Sequence, residues 1–302
     1  MLLESVRLAL RSVLRNPLRS FLTLLGIVIG VAAVIAMITI GSGTTERVKE
    51  DIARLGSNLL IVSASRPARG GASFTPRRLD QRELEALRDG LTDVTAVSGT
   101  AQRQQRIVFG AQNMGADVTG TDAQYFIARD WNVAEGRAFG DMEGGVGGNV
   151  CLIGQTVRQE LFGNGDPLGQ MLRVNRMSCE IIGVLEAKGT TGFGQDQDAT
   201  VLMPLTTFQR RIAGNRDIGA IYVSARDGVS TERVGAQIED IMRQIRRIGP
   251  DQEDNFSVRD MTQIADTMAS ATGVMTGMLS ALAGVSLLVG GIGIMNIMLV
   301  SV

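Results

Sequence analysis

Residues 20–45 read SFLTLLGIVIGVAAVIAMITIGSGTT, a stretch without one charged side chain. It exceeds the roughly 20 residues a helix needs to cross a hydrocarbon core about 30 Å thick, which predicts a transmembrane helix. A cleaved signal peptide is the alternative, but its apolar region would be only about 7–15 residues long. A second uncharged run extends from Thr267 to Val302 and ends in GGIGIMNIMLVSV. As a helix at about 1.5 Å per residue it would be on the order of 50 Å long, more than a bilayer core. Its first turns, around Thr267 to Thr276, are therefore expected to project from the membrane as a stalk. Val48, Ile52 and Leu55 keep helical spacing among charges, which predicts a second stalk after the first span.

The flanks set the orientation. Arg7, Arg11, Arg15 and Arg19 precede the first span against a lone Glu4, whereas Glu46, Arg47, Lys49, Glu50 and Asp51 mix signs beyond it. The arginine excess predicts a cytoplasmic N-terminus, an extracytoplasmic segment 46–266 and a return to the cytoplasmic edge at Val302. Residues 1–16 form an amphipathic pattern, with Leu2, Leu3, Val6, Ala9, Leu10, Val13 and Leu14 on one face and Arg7, Arg11 and Arg15 along another. This predicts a helix on the cytoplasmic membrane surface, its arginines facing anionic lipid, a protein partner or only water. Small residues recur at Gly26 and Gly30 in the first span and at Gly273, Gly277 and Ala281 in the second. Such spacing lets helix backbones approach closely in lipid, either with each other or across a dimer seam.

Composition excludes several function classes. The chain has 302 residues, a net charge of −1 and no histidine, so it is not a basic nucleic-acid binder and has no Ser-His-Asp triad or HExxH zinc site. Lys49 and Lys188 are its lysines; every other basic residue is arginine. Serine–lysine or carboxylate-pair chemistry would have only Lys188 available in the folded body, and no catalytic, cofactor or metal site is expected. Cys151 and Cys179 fit neither a disulfide scaffold nor a Cys-rich zinc site. They are expected to be free, buried thiols, although the topology would put them in an oxidising compartment.

Between the spans the same local pattern occurs twice. NLLIVSA, LDQRELEALRDG and VTAVSGTA read as strand, helix, strand, and so do AIYVSAR, STERVGAQIEDIMRQIRRI and NFSVRDM. Two such units, at about 56–122 and 206–262, pack as helices on a shared sheet. Residues 123–205 separate them and alternate short apolar runs (VCLIG, MLRVN, CEIIGVL, TVLMPL) with turns, predicting a small β subdomain. GDMEGGVGG and KGTTGFGQDQD within it lack the GxxxxGK[ST] phosphate cradle, and Asp196 with Asp198 lacks the glycine and distal glutamate of a calcium loop. Flexible hairpins are expected there, and RPARGGASFTPRR at 66–78 is expected to be an exposed loop.

Several strings taken together resemble MacB-type permeases of the ABC transporter superfamily and the related lipoprotein-releasing and FtsX-like proteins. They are RNPLRSFLTLLGIVIGVAAVIAM, LGSNLLIV, GRAFGD, LFGNGDPLGQMLRV, IIGVLEAKGTTGFGQDQD and GGIGIMNIMLVSV, in the family order. The expected fold class is an α+β membrane protein. An interfacial helix (1–16), a first transmembrane helix (17–45), a periplasmic domain (46–266) and a stalk with a second transmembrane helix (267–302) follow one another. The resemblance implies a bacterial inner-membrane protein, a homodimer or heterodimer of permeases, working with a cytoplasmic ABC ATPase. It also implies a periplasmic adaptor and an outer-membrane channel as partners, besides membrane lipid and without nucleic acid. ATP hydrolysis would move the periplasmic domain through the stalks and drive export; an FtsX-like regulator of an extracytoplasmic hydrolase is the alternative. Family members look like four-span proteins, so the chain resembles the N-terminal part of such a permease, from a split gene or an incomplete reading frame.

Overall fold

The computed structural model of the chain describes residues 58–65, 77–140, 143, 148–190 and 194–300, together with 21, 25–26, 28–32, 34–41 and 43. The arginine-lined segment 1–16, the stalk segment 46–55 and most of the 66–78 loop lie outside these residues. In chain order the elements are β1 (Leu59–Ala64), α1 (Gln81–Gly90), β2 (Val94–Phe109), β3 (Gln112–Thr121), α2 (Gln124–Ala128), β4 (Val133–Gly136), β5 (Val150–Ile153), α3 (Gln155–Phe162), β6 (Met171–Val174), β7 (Met177–Leu185), β8 (Thr200–Pro204), α4 (Leu205–Phe208), a π-helix (Gln209–Ala213), β9 (Ala220–Ala225), α5 (Thr231–Arg246), β10 (Phe256–Asp260) and α6 (Met261–Val300).

The two strand–helix–strand segments interleave. Their strands lie in the order β10-β1-β9-β2, every neighbour antiparallel, so each unit's second strand is separated from its first by a strand of the other unit. This is the split β-α-β arrangement of ferredoxin-like folds. Both helices cover the sheet through apolar stripes at helical spacing: Leu84 and Leu87 on α1, and Val234, Ile238 and Met242 on α5, pack with Leu60, Val62, Ile221 and Val223. The α1 N-terminus is set by a capping box, in which the Glu83 amide donates to the Asp80 carboxylate at 3.1 Å and the Asp80 amide donates to the Glu83 carboxylate at 2.9 Å.

The chain then leaves this sheet along β2. Residues 94–100 of β2 pair with β9, whereas 101–109 pair with β3, so one long strand serves two sheets. The second sheet closes on itself: β2 pairs β3, β3 pairs β8, β8 pairs β5, β5 pairs β7, β7 pairs β6, and β6 returns to β2. The β-rich segment is therefore part of a closed barrel that removes its own edges. The barrel begins within β2 and β3, before residue 123. Inward residues of the six strands, among them Ile107, Val118, Ile153, Leu172, Ile181 and Val201, fill it, with Val157 and Leu161 of α3 and Phe208 of α4 completing the core. Gly120 is required on β3 because a Cβ there would overlap the Phe208 side chain.

The expectation of free thiols is overturned. Cys151 and Cys179 are fully buried in the barrel core but are joined in a disulfide, with Cα atoms 5.8 Å apart. The cause is register. β5 runs parallel to β7 with Cys151 opposite Ile181, so Cys179, two residues away on the same inward face, comes within bridging range.

The remaining unit comprises 1–49 and 266–302. The first apolar segment is helical over the described part of Val28–Gly41, too short within those residues to span a bilayer by itself. Among the described residues one helix is long and apolar enough to cross a membrane: Met261–Ile292 of α6, with a mean hydropathy of 1.8. Its N-terminus is capped where the sheet ends, since the Asp260 carboxylate accepts from the Thr262 amide at 2.8 Å and the Gln263 amide at 3.3 Å.

Candidate functional site

Three of the small residues singled out in the two apolar segments have open surroundings among the described residues. A Cβ placed on Gly26, Gly273 or Gly277 finds nothing within 4 Å, whereas one on Gly41 would overlap the Thr276 side chain. Thr276 belongs to a row with Thr272 and Ser280, whose hydroxyls donate to the carbonyls of residues 272, 268 and 276 respectively at 2.8–2.9 Å. This internal pairing suits a low-dielectric setting, because each hydroxyl is satisfied within its own helix. Ala281 and Gly277 lie on an exposed part of α6, and Gly30 is half-buried.

The residues that tie the barrel to the first sheet converge on Arg129, at the end of α2. Its guanidinium lies 5.6 Å from the Tyr222 ring of β9, 5.8 Å from Trp131 and 6.0 Å from Tyr125. Tyr125 and Tyr222 meet edge to face with centroids 5.7 Å apart. Arg129 donates to Gln197 Oε1 at 3.0 Å, while its Nε is buried without a hydrogen-bond partner. Cation–π attraction strengthens when the cation is desolvated, so a box of three rings holds the arginine in place of a carboxylate. Lys188 Nζ donates to the Arg129 carbonyl at 2.6 Å and lies 5.4 Å from the Trp131 ring. Burial, and next the Arg129 charge, lower the Lys188 pKa from 10.5 to about 8, against the opposing pull of Asp130, Asp198 and Glu186. Burial also raises the Tyr125 pKa from 10.0 to about 12.

The acidic pair of the 186–198 loop serves the backbone. Asp198 accepts from the amides of Lys188 and Gly189 at 2.9 Å each, and Asp196 accepts from the Asp198 amide and the Thr156 hydroxyl at 2.8 Å each. These bonds close the loop with the carboxylates a calcium ion would use. In the GDMEGGVGG segment, Glu143 forms a two-pronged pair with Arg137 at 2.8 Å, and that hydrogen bond lowers the Glu143 pKa. A third charged contact, between Glu83 of α1 and Arg246 of α5, is fully buried, with distances of 2.8 and 3.1 Å; Arg246 donates further to the Asn255 carbonyl at 3.0 Å.

A cleft of about 1190 Å³ opens between α1, the start of β2 and the segment from α4 through the π-helix. Leu84, Leu91, Val97 and Leu205 give it an apolar floor. Arg88 is fixed on one wall, donating from Nε to the Val97 carbonyl at 3.0 Å and pairing with Asp122 at 2.6 Å. Arg210 and Arg216 stand on the opposite wall, exposed and, among the described residues, without an ion pair or side-chain hydrogen bond. Nothing in the sequence marks a π-turn at Gln209–Ala213 or brings Arg88, Arg210 and Arg216 together.

A split β-α-β sheet that shares one long strand with a closed, disulfide-bonded barrel, and continues into an apolar helix long enough to cross a membrane, defines an α+β domain. Residues 20–241 match the family model of the MacB-like periplasmic core domain, and the chain belongs to that family. A macrolide export ATP-binding/permease protein MacB from Azoarcus is 37% identical over 100% of this chain and 45% of its own length. One from Rhodospirillum rubrum is 38% identical over 99% of this chain and 45% of its own. The chain thus spans about half the length of the curated relatives it matches. Among solved structures, the periplasmic region of MacB from Actinobacillus actinomycetemcomitans superposes with a TM-score of 0.60 at 19% identity, over 73% of this chain and 97% of that one. The extracellular domain of the noncanonic ABC-type transporter YknZ from Gram-positive bacteria gives 0.56 at 17% identity, over 67% and 100%. Its fold is that of these solved periplasmic and extracellular regions.

Proposed function

We propose that this chain is the transmembrane and periplasmic portion of an exporter that couples cytoplasmic ATP hydrolysis to movements of a periplasmic domain, driving substrate out across the envelope. The observation that carries this reading is the match of the whole chain to proteins named as macrolide exporters. The body lies outside the cytoplasm, held by two membrane-crossing helices in the inner membrane. The disulfide in the barrel core supports that location, since such bonds persist in oxidising compartments. The adjacency of β1 and β10 supports coupling: the chain enters the body through one and leaves it through the other, and they are hydrogen-bonded from Leu60–Asp260 to Ala64–Phe256. A displacement delivered through either connection acts on one sheet edge.

In this reading ATP is hydrolysed on an ABC domain or subunit, a second permease completes a dimer through the open side of Gly273, Gly277 and Ala281 and through Gly26 and Gly30, and Arg7, Arg11 and Arg15 line the cytoplasmic surface helix. An adaptor and an outer-membrane channel carry substrate onward. The test is ATP-dependent macrolide efflux from the host. Deletion of the gene is expected to raise intracellular macrolide, and the wild-type gene to restore efflux. Unchanged accumulation of macrolide and other exported compounds, together with a cell-wall defect, would favour regulation of a hydrolase.

A further inference from the structure

We propose that the cleft between α1, β2 and the π-helix binds an amphiphilic organic anion. Its apolar part would lie on Leu84, Leu91, Val97 and Leu205, and its carboxylate, sulfate or phosphate would meet Arg210 and Arg216. Three independent features converge there. The volume of about 1190 Å³ accommodates a drug-sized or acyl-chain ligand. Charge is unbalanced: of the three guanidinium groups lining the cleft Arg88 is neutralised by Asp122, and among the described residues no side chain pairs with the other two. The wall bearing one of them, Arg210, is a π-turn closed by Gly214 in a left-handed conformation at φ 71°. Such turns are rare and frequently sit at functional sites. An arginine fork matches an oxyanion in geometry, and the apolar floor excludes a purely ionic ligand as the best fit.

This inference neither needs nor tests the export reading. The experiment uses the full chain in lipid nanodiscs and a decanoate bearing a diazirine on its tail. After illumination, labelled peptides are mapped by mass spectrometry, and binding is competed with plain decanoate, decyltrimethylammonium of the same tail length, and inorganic sulfate. Saturable labelling within 84–97 and 205–214 is expected, competed by decanoate and far less by the cation or by sulfate. R210Q/R216Q removes two exposed charge contacts and is expected to weaken labelling roughly 5- to 30-fold, the effect of about 0.5–1 kcal/mol each. L205W, which fills the floor and leaves both arginines, is expected to abolish it. Labelling confined to α6, equal competition by the cation, or R210Q/R216Q labelling like wild type would overturn the proposal. Equal competition by sulfate would assign the arginines to a simple anion and overturn its amphiphilic part.

Discussion

Replacing Cys151 and Cys179 together by alanine isolates what the disulfide contributes to the barrel. The bridge closes a loop with a sequence separation of 28. With a chain-entropy loss of −2.1 − 1.5R ln n, freeing that loop in the unfolded state removes about 3.6 kcal/mol of stability at 25 °C. Both sulfurs are fully buried among Ile153, Leu172, Ile181 and Val201, so the vacated volume adds to the loss. The assay is urea unfolding followed by the fluorescence of Trp131, the sole tryptophan, which is 3% exposed and packed where the barrel meets the first sheet. The midpoint is expected to fall by on the order of 1–2 M urea for a loss of this size, and reductant is expected to move the wild type in the same direction by a smaller amount, since the thiols still fill the core, while leaving C151A/C179A in place. A midpoint unchanged by either treatment would refute the entropic account and remove the strongest structural support for an extracytoplasmic body.

Four further outcomes follow from buried groups. Glu83→Ala leaves the buried Arg246 guanidinium without its carboxylate, held by Asn255, and is expected to cost about 3–5 kcal/mol in the same unfolding assay, whereas Glu83→Leu with Arg246→Met should recover the charge-burial part of it but not the lost cap of α1. A Lys188 pKa of about 8 in the folded chain, against 10.5 unfolded, means that the unfolded chain holds more protons between those values, so stability should rise with pH from 8 upward. Tyr125, at about 12 folded against 10.0 unfolded, works the other way and should lower stability as pH climbs from 10 toward 12; Lys188→Met should remove the rise and Tyr125→Phe the fall. Gly120→Ala drives a methyl into the Phe208 side chain and is expected to cost about 1–3 kcal/mol by thermal or urea unfolding.

The two strand–helix–strand segments were legible because their apolar residues recur at periods that belong to strands and helices, as in Val234, Ile238 and Met242 of α5. The interleaving of their strands was not, since pairing is a long-range property that periodicity does not encode. The same holds for the barrel. Its short apolar runs announced β structure, but closure depends on β6 meeting both β2 and β7, and the disulfide depends on the register of β5 against β7. Helix packing shows a different limit: Gly26, Gly273 and Gly277 have a small-residue spacing, yet among the described residues a close approach falls at Gly41 and a threonine. Arg129, Lys188 and Tyr222 form one cluster from three distant segments, and the unpaired Arg210 and Arg216 gain meaning only from the cleft beside them. Charge counts along the chain carry no sign of either.

The location of the body is tested most directly by a single reporter cysteine, Arg176→Cys, on the exposed turn between β6 and β7. A membrane-impermeant maleimide is applied to cells with a permeabilised outer membrane and an intact inner membrane. The account predicts labelling at full yield before the inner membrane is lysed, with Cys151 and Cys179 unreactive until reduced and unfolded. Labelling of residue 176 only after lysis would place the body in the cytoplasm and contradict the account.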